Sequence, residues 1–118
     1  MAAHNQLGKA GEAMAVKFFT QKGYLIVCRN WRYGRHEIDI IATKDNKLHF
    51  IEVKTRSSSR YGYPEESVTA KKFASLKAAA DAYLFQHPGY KWIQYDVLSI
   101  TLHKNRPPEY FLLEDVFM

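Results

Sequence analysis

Two runs of β-forming residues, Glu37–Thr43 and Leu48–Thr55, stand only four residues apart, joined by Lys44-Asp45-Asn46-Lys47. A gap that short fits a hairpin. If Asp45-Asn46 form a two-residue turn, Lys44 faces Lys47, and counting back sets Asp39 directly opposite Glu52. Opposed residues of that kind have Cβ atoms about 4.5–5.5 Å apart. A turn one residue longer slips the register. Ile38, Ile40, Ile41, Phe50, Ile51 and Val53 give the runs the apolar character of strands covered on both faces. Glu37, Asp39, Glu52 and Lys54 interrupt that character, and alternation points Glu52 and Lys54 the same way.

The rest of the chain supplies elements to cover such a sheet. Leu7, Ala10, Gly11, Met14, Ala15, Phe18 and Phe19 recur at helical spacing, predicting a helix over Gln6–Lys22 with Asn5 as N-cap and Gly23 as stop. Tyr24–Arg29 reads as a strand and Asn30–Arg35 as a basic, aromatic loop. Arg56–Glu66 reads as a mobile loop, and Ser67–Phe85 as a second helix with Val68, Phe73, Leu76, Ala80, Tyr83 and Leu84 on its apolar side. Trp92–Leu102 and Tyr110–Val116 look like closing strands. The order α-β-β-β-α-β-β predicts an α/β fold, a central mixed sheet flanked by two main helices, in a single domain over 1–118.

Composition narrows the setting. No apolar run approaches the ~18–20 residues of a membrane span, so no membrane partner is expected. Cys28 is the only cysteine, which excludes an intramolecular disulfide and reads as a small buried residue. A cytoplasmic location fits. The formal net charge of +5 favours polyanions, nucleic acid above all.

Two close carboxylates repel each other unless a proton or cation lies between them. Mg²⁺ (or Mn²⁺) prefers such oxygen ligands, so Asp39 and Glu52 are the candidate metal ligands. A metal there suits phosphodiester hydrolysis, with Lys54 orienting water or offsetting charge on the phosphate. Glu12, at the edge of the first helix's stripe, is placed to reach over the sheet, although a solvent-exposed glutamate has the same spacing. The alternative is a solvated hairpin with a Glu52–Lys54 ion pair and an exposed Asp39.

Arg29, Arg32 and Arg35, interleaved with Trp31 and Tyr33, fit phosphate contact and base stacking. Arg56 and Arg60 lead into the loop after Lys54, and Lys71 and Lys72 begin the second helix. Each alone is an ordinary solvated cation; together they can line one groove. The five histidines lack ligand spacing for zinc.

Gly8-Lys9-Ala10-Gly11-Glu12, Arg29-Asn30-Trp31-Arg32, His36-Glu37-Ile38-Asp39-Ile40-Ile41, Phe50-Ile51-Glu52-Val53-Lys54-Thr55-Arg56 and Gly62-Tyr63-Pro64 together resemble the bacterial YraN-like family, over nearly the whole chain. That family looks like a minimal member of the restriction-endonuclease-like (PD-(D/E)xK) superfamily and is similar in outline to archaeal Holliday-junction resolvases. The resemblance implies Asp39 and Glu52 as metal ligands, Lys54 as the catalytic lysine and Glu12 as the helix-borne acid. It implies a Mg²⁺/Mn²⁺-dependent endodeoxyribonuclease for DNA, branched or structured DNA by analogy. The alternatives are a non-catalytic nucleic-acid-binding module of the same fold, or a protein-interaction domain. His36 stands where the family usually has glycine, and Gln94-Tyr95 where arginine and phenylalanine are usual. A homodimer would grip a symmetric substrate, with Phe111, Leu112, Leu113, Phe117 and Met118 as candidate contacts or as core.

Overall fold

The computed structural model describes residues 2–57 and 70–116, with side chains from Gly8 onward. The elements are α1 (Ala2–Gln21), β1 (Leu25–Tyr33), β2 (His36–Lys44), β3 (Lys47–Arg56), α2 (Ala70–Gln86), β4 (Ile93–Thr101) and β5 (Glu109–Leu113). The α/β class and the element order match the sequence expectation. The strands form one sheet in chain order, antiparallel except for the parallel β3–β4 pair that α2 bridges.

Each helix covers one side of this sheet. α2 lays Leu76, Ala79, Ala80 and Tyr83 over Ile38, Ile41, Leu48, Phe50 and Tyr95. α1 lays Ala15 and Phe19 over Ile40, Ala42, Ile51, Leu98 and Ile100. The continuous apolar runs of β2 and β3 follow from burial on both sides. Gly11 marks the tightest approach of α1, because a Cβ there would lie 1.9 Å from Thr55 Oγ1. α1 ends at a positive-φ glycine: Tyr24 N–H donates to Phe19 O and Gly23 N–H to Thr20 O, while the Phe19 and Tyr24 rings meet edge to face at 4.8 Å.

Four local expectations change. The backbone is already helical at Asn5, so that residue does not cap the helix. Ala10 is exposed, and Cys28 is half-buried against the α2-side core. Asn30–Arg35 is not a loop: β1 runs to Tyr33, which pairs with His36 across a tight turn containing Gly34 at φ 61°.

The β2–β3 turn is the two-residue kind. Asp45 and Asn46 have φ of 53° and 65°, and Lys44 pairs with Lys47. Both residues tolerate the left-handed region, and a turn with two positive φ values matches the twist of the strands.

Candidate active site

At the far end of the hairpin the sheet forks. The β2–β3 ladder runs from Lys44↔Lys47 only to Ile40↔Ile51, whereas β3 stays paired to β4 as far as Arg56↔Thr101. Residues three apart on a regular strand face opposite sides. Yet Cys28 and Trp31, and their partners Ile41 and Ile38, all pack on the α2 side. Alternation therefore slips in both strands together, where Asn30, at φ 54°, lies across from Asp39. Beyond the fork the Asp39 side chain stands in for a main-chain acceptor, with Oδ2 taking the Val53 N–H at 2.7 Å.

This fork opens into a cleft of about 450 Å³ beneath α2, lined by Asp39, Glu52, Lys54, Glu37, Arg35 and Lys72, with Val53, Ser75 and Leu76 closing it. Glu52 Oε2 meets Lys54 Nζ at 3.2 Å and Lys72 Nζ at 3.6 Å. Alternation along β3 sends Glu52 and Lys54 to the same side, and the first turns of α2 bring Lys72 over them. Arg32 Nε holds Glu37 Oε2 at 3.3 Å across the β1–β2 pair. His36 Nδ1 and Ser75 Oγ are 2.8 Å apart, tying the β1–β2 hairpin to α2. His36 is not at positive φ, so its backbone accepts a side chain where the resembled family carries glycine.

Asp39 carries the electrostatic signature of the cleft. Its carboxyl is pushed up from 3.8 to about 7, chiefly by burial and further by the charges of Glu52, Glu37 and Glu12, with the Val53 N–H pulling the other way. Glu12 acts from α1, on the other side of the sheet, and is felt at Asp39 as charge without lining the cleft. Perturbed acids in clefts are candidates for function because the same desolvation that raises a pKa also strengthens a bound cation's field.

The remaining sequence candidates are spread. Arg29 is exposed on β1 and Lys71 is exposed at the start of α2; neither lines the cleft. Arg56 ends β3, its carbonyl accepting the Leu102 N–H at 2.7 Å. Arg60 lies outside the described residues. Three cleft features went unassigned by sequence reasoning. The Val53 N–H is a backbone donor and carries no residue signature. Ser75 and Glu37 are ordinary residue types, though Glu37 directly flanks the acidic strand.

Among the described residues, no group of three or more His, Cys, Asp or Glu is arranged to hold a metal ion. Of the cleft's carboxylates Glu37 is held by Arg32, which leaves Asp39 and Glu52 as the two that could hold one. A pair is enough for Mg²⁺, which keeps several waters and binds through one or two carboxylates plus substrate phosphate.

Comparison with known proteins places the chain. The sequence profile described as "Uncharacterised protein family UPF0102" matches residues 11–100. A UPF0102 protein of Bacteroides thetaiotaomicron is 45% identical over 100 residues, covering 85% of this chain and 83% of its own length. One from Cytophaga hutchinsonii is 46% identical, covering 83% and 87%, and one from Chlorobium phaeobacteroides is 47% identical, covering 84% and 79%. The matched span runs from the α1 glycine packed on Thr55 through the hairpin and its fork to β4, and the chain belongs to the UPF0102 family, the YraN-like group that its motifs resemble.

Proposed function

We propose that this domain is a Mg²⁺- or Mn²⁺-dependent endodeoxyribonuclease acting on branched or otherwise structured DNA. The observation that carries the reading is the fork. One carboxylate fixed by a main-chain N–H and raised in pKa, a second carboxylate and an ammonium group share a polar cleft open to solvent. Asp39 and Glu52 would hold the metal. When bound, it polarises a phosphoryl oxygen and acidifies water.

The chain's own groups do the rest. The Val53 N–H fixes the Asp39 carboxylate so that little rearrangement is required when a cation arrives. Lys54 and Lys72 neutralise Glu52 in the free protein and are available as counter-charge for phosphate. Arg35 at the cleft wall adds a donor for the backbone of a polyanion. Among the described residues no helix is long and apolar enough to cross a membrane. A cytoplasmic homodimer gripping a symmetric branched substrate completes the proposal.

The test is cleavage of linear, single-stranded, flapped and four-way-junction DNA with Mg²⁺ or Mn²⁺, with Asp39→Asn and Lys54→Ala run in parallel. Activity lost in both variants supports the reading; full activity in both removes it. One observation favours a second reading, a DNA-binding module that does not cleave: two lysines already satisfy Glu52. That module would bind DNA in EDTA, lose affinity steeply with salt and be indifferent to Asp39→Asn.

A further inference from the structure

A second cleft, of about 650 Å³, opens at the other end of the β2–β3 hairpin, between its turn and the segment that enters β4. Lys44, Lys47 and Lys91 line it against a single acid, Asp45. Lys44 and Lys47 are direct cross-strand partners, a like-charge arrangement that costs stability. Lys44 relieves part of that cost by placing Nζ 5.0 Å from the Tyr24 ring centroid. Leu48 N–H donates to Trp92 O at 2.9 Å, which fixes Trp92 and the adjoining Lys91 beside the start of β3. The lysines thus belong to three neighbouring strand ends, a row about 10 Å across at the usual strand spacing.

Two aromatic rings accompany the row. Trp92 is 65% exposed and Tyr90 is 41% exposed, and both line the cleft. A tryptophan that exposed buries little of its own surface in the fold, and its flat face is open to a ligand. Flat rings beside a row of cations are the two parts of a platform for unpaired bases and their phosphates. A row this wide exceeds what one phosphate requires and matches a run of them.

We infer that the cleft between the β2–β3 turn and the β4 entry binds an unpaired polynucleotide strand, a base stacking on Trp92 while Lys44, Lys47 and Lys91 hold its phosphates. The inference supplies a substrate feature to the proposed nuclease, since Lys44 lies five residues along β2 from Asp39, roughly 17 Å at strand rise. A substrate that reaches both clefts carries a single-stranded segment next to the point of attack. The binding itself does not require that the chain cleave anything.

The experiment uses full-length protein in EDTA, with Trp31→Phe so that Trp92 is the sole tryptophan. Its fluorescence is followed during titration with oligo(dT), oligo(U) and blunt duplex DNA at several salt concentrations. Quenching by either single strand at lower concentration than duplex is expected, and the two oligomers tell DNA from RNA as the source of the strand. In the protein with both tryptophans native, Trp92→Ala should weaken oligomer binding, followed by anisotropy of a labelled oligomer, at least about tenfold. Lys47→Gln with Lys91→Gln should lower the salt slope by about 1.4, at roughly 0.7 per phosphate contact on a single strand. The side chains of Trp92, Lys47 and Lys91 are exposed, so their variants keep the fold, Trp31→Phe keeps an aromatic ring against the α2-side core, and circular dichroism verifies both. Unchanged Trp92 fluorescence on oligomer binding, or variants that bind as wild type, overturns the inference. Because no metal is present, a failed cleavage assay leaves this result standing, and failure here leaves the dependence of cleavage on Asp39 and Lys54 intact.

Discussion

Replacing Asp39 by asparagine should make the metal-free protein more stable above neutral pH. The side chain keeps its shape and keeps an oxygen for the Val53 N–H, but it loses the charge that burial and three nearby glutamates oppose. Asp39 is raised from 3.8 to about 7, so the folded state holds a proton that the unfolded chain releases between those values. Stability from this group is therefore full below about pH 3.8 and falls as pH rises through 7. At about 1.4 kcal/mol per pH unit the complete loss approaches about 4 kcal/mol, and partial exposure of Asp39 to solvent reduces it to about 2–3 kcal/mol.

Urea unfolding of wild type and Asp39→Asn in EDTA measures this directly. Taking the difference at each pH cancels the other titrating groups. The variant should lead by about 2–3 kcal/mol near pH 8.5, and by about half a kcal/mol or less near pH 4. Excess Mg²⁺ should then stabilise wild type and leave the variant unmoved, by about 2.7 kcal/mol at a hundredfold excess over Kd. A variant no more stable than wild type near pH 8.5, or a difference that does not change with pH, refutes the reasoning.

Three further substitutions probe the frame around the site. Gly11→Ala drives a Cβ into Thr55 and should destabilise by a net of about 1–2 kcal/mol despite the better helix propensity of alanine, with a fall in Tm that Thr55→Ala partly restores. Asn46→Gly relieves a left-handed residue in the hairpin turn and should raise stability by about 0.5–1 kcal/mol, read as a higher urea midpoint with unchanged m-value. Asp96→Ala strips acceptors from His49 Nδ1 at 2.8 Å, Gln94 Nε2 at 2.9 Å and the Asp115 N–H at 2.9 Å, inside the sheet, and should cost about 3–5 kcal/mol in the same assay.

The element order was readable because each segment's apolar pattern and its punctuation agree. Gly23 stops α1, a four-residue gap joins β2 to β3, and His87-Pro88-Gly89 follow α2. Register was readable for a narrower reason: Asp45 and Asn46 are residues that accept positive φ, and a two-residue turn fixes the pairing from Lys44↔Lys47 to Ile40↔Ile51, one step short of the expected Asp39–Glu52 pair. Asn30–Arg35 misled because arginines, aromatics and a glycine look like a loop, whereas a strand edge that pairs on one side only carries the same residues at no cost. The slip at Asn30 and Asp39 has no sequence signal beyond the tolerance of asparagine for the left-handed region. The turn predicted that Asp39 would fall level with Glu52, and the slip decides what Asp39 does there, which is to reach the Val53 N–H.

That division also accounts for where the charges could be tolerated. Up to Ile40↔Ile51 the hairpin is sealed between α1 and α2, and a carboxylate there would lack both water and a partner. Past that pair the strands part, a polar cleft replaces the core, and Glu52 finds two ammonium groups while Asp39 finds a main-chain donor. At the opposite end the hairpin stops again, and there the lysines of the turn gather without comparable acids. One rigid hairpin thus holds an end where acids and cations are mixed and an end where lysines prevail, at a distance set by strand rise. At the fork three cations are set against three acids, whereas the other cleft sets three lysines against one acid, so a polyanion is drawn more strongly to the second and the lysine-lined cleft should engage a strand before the fork can.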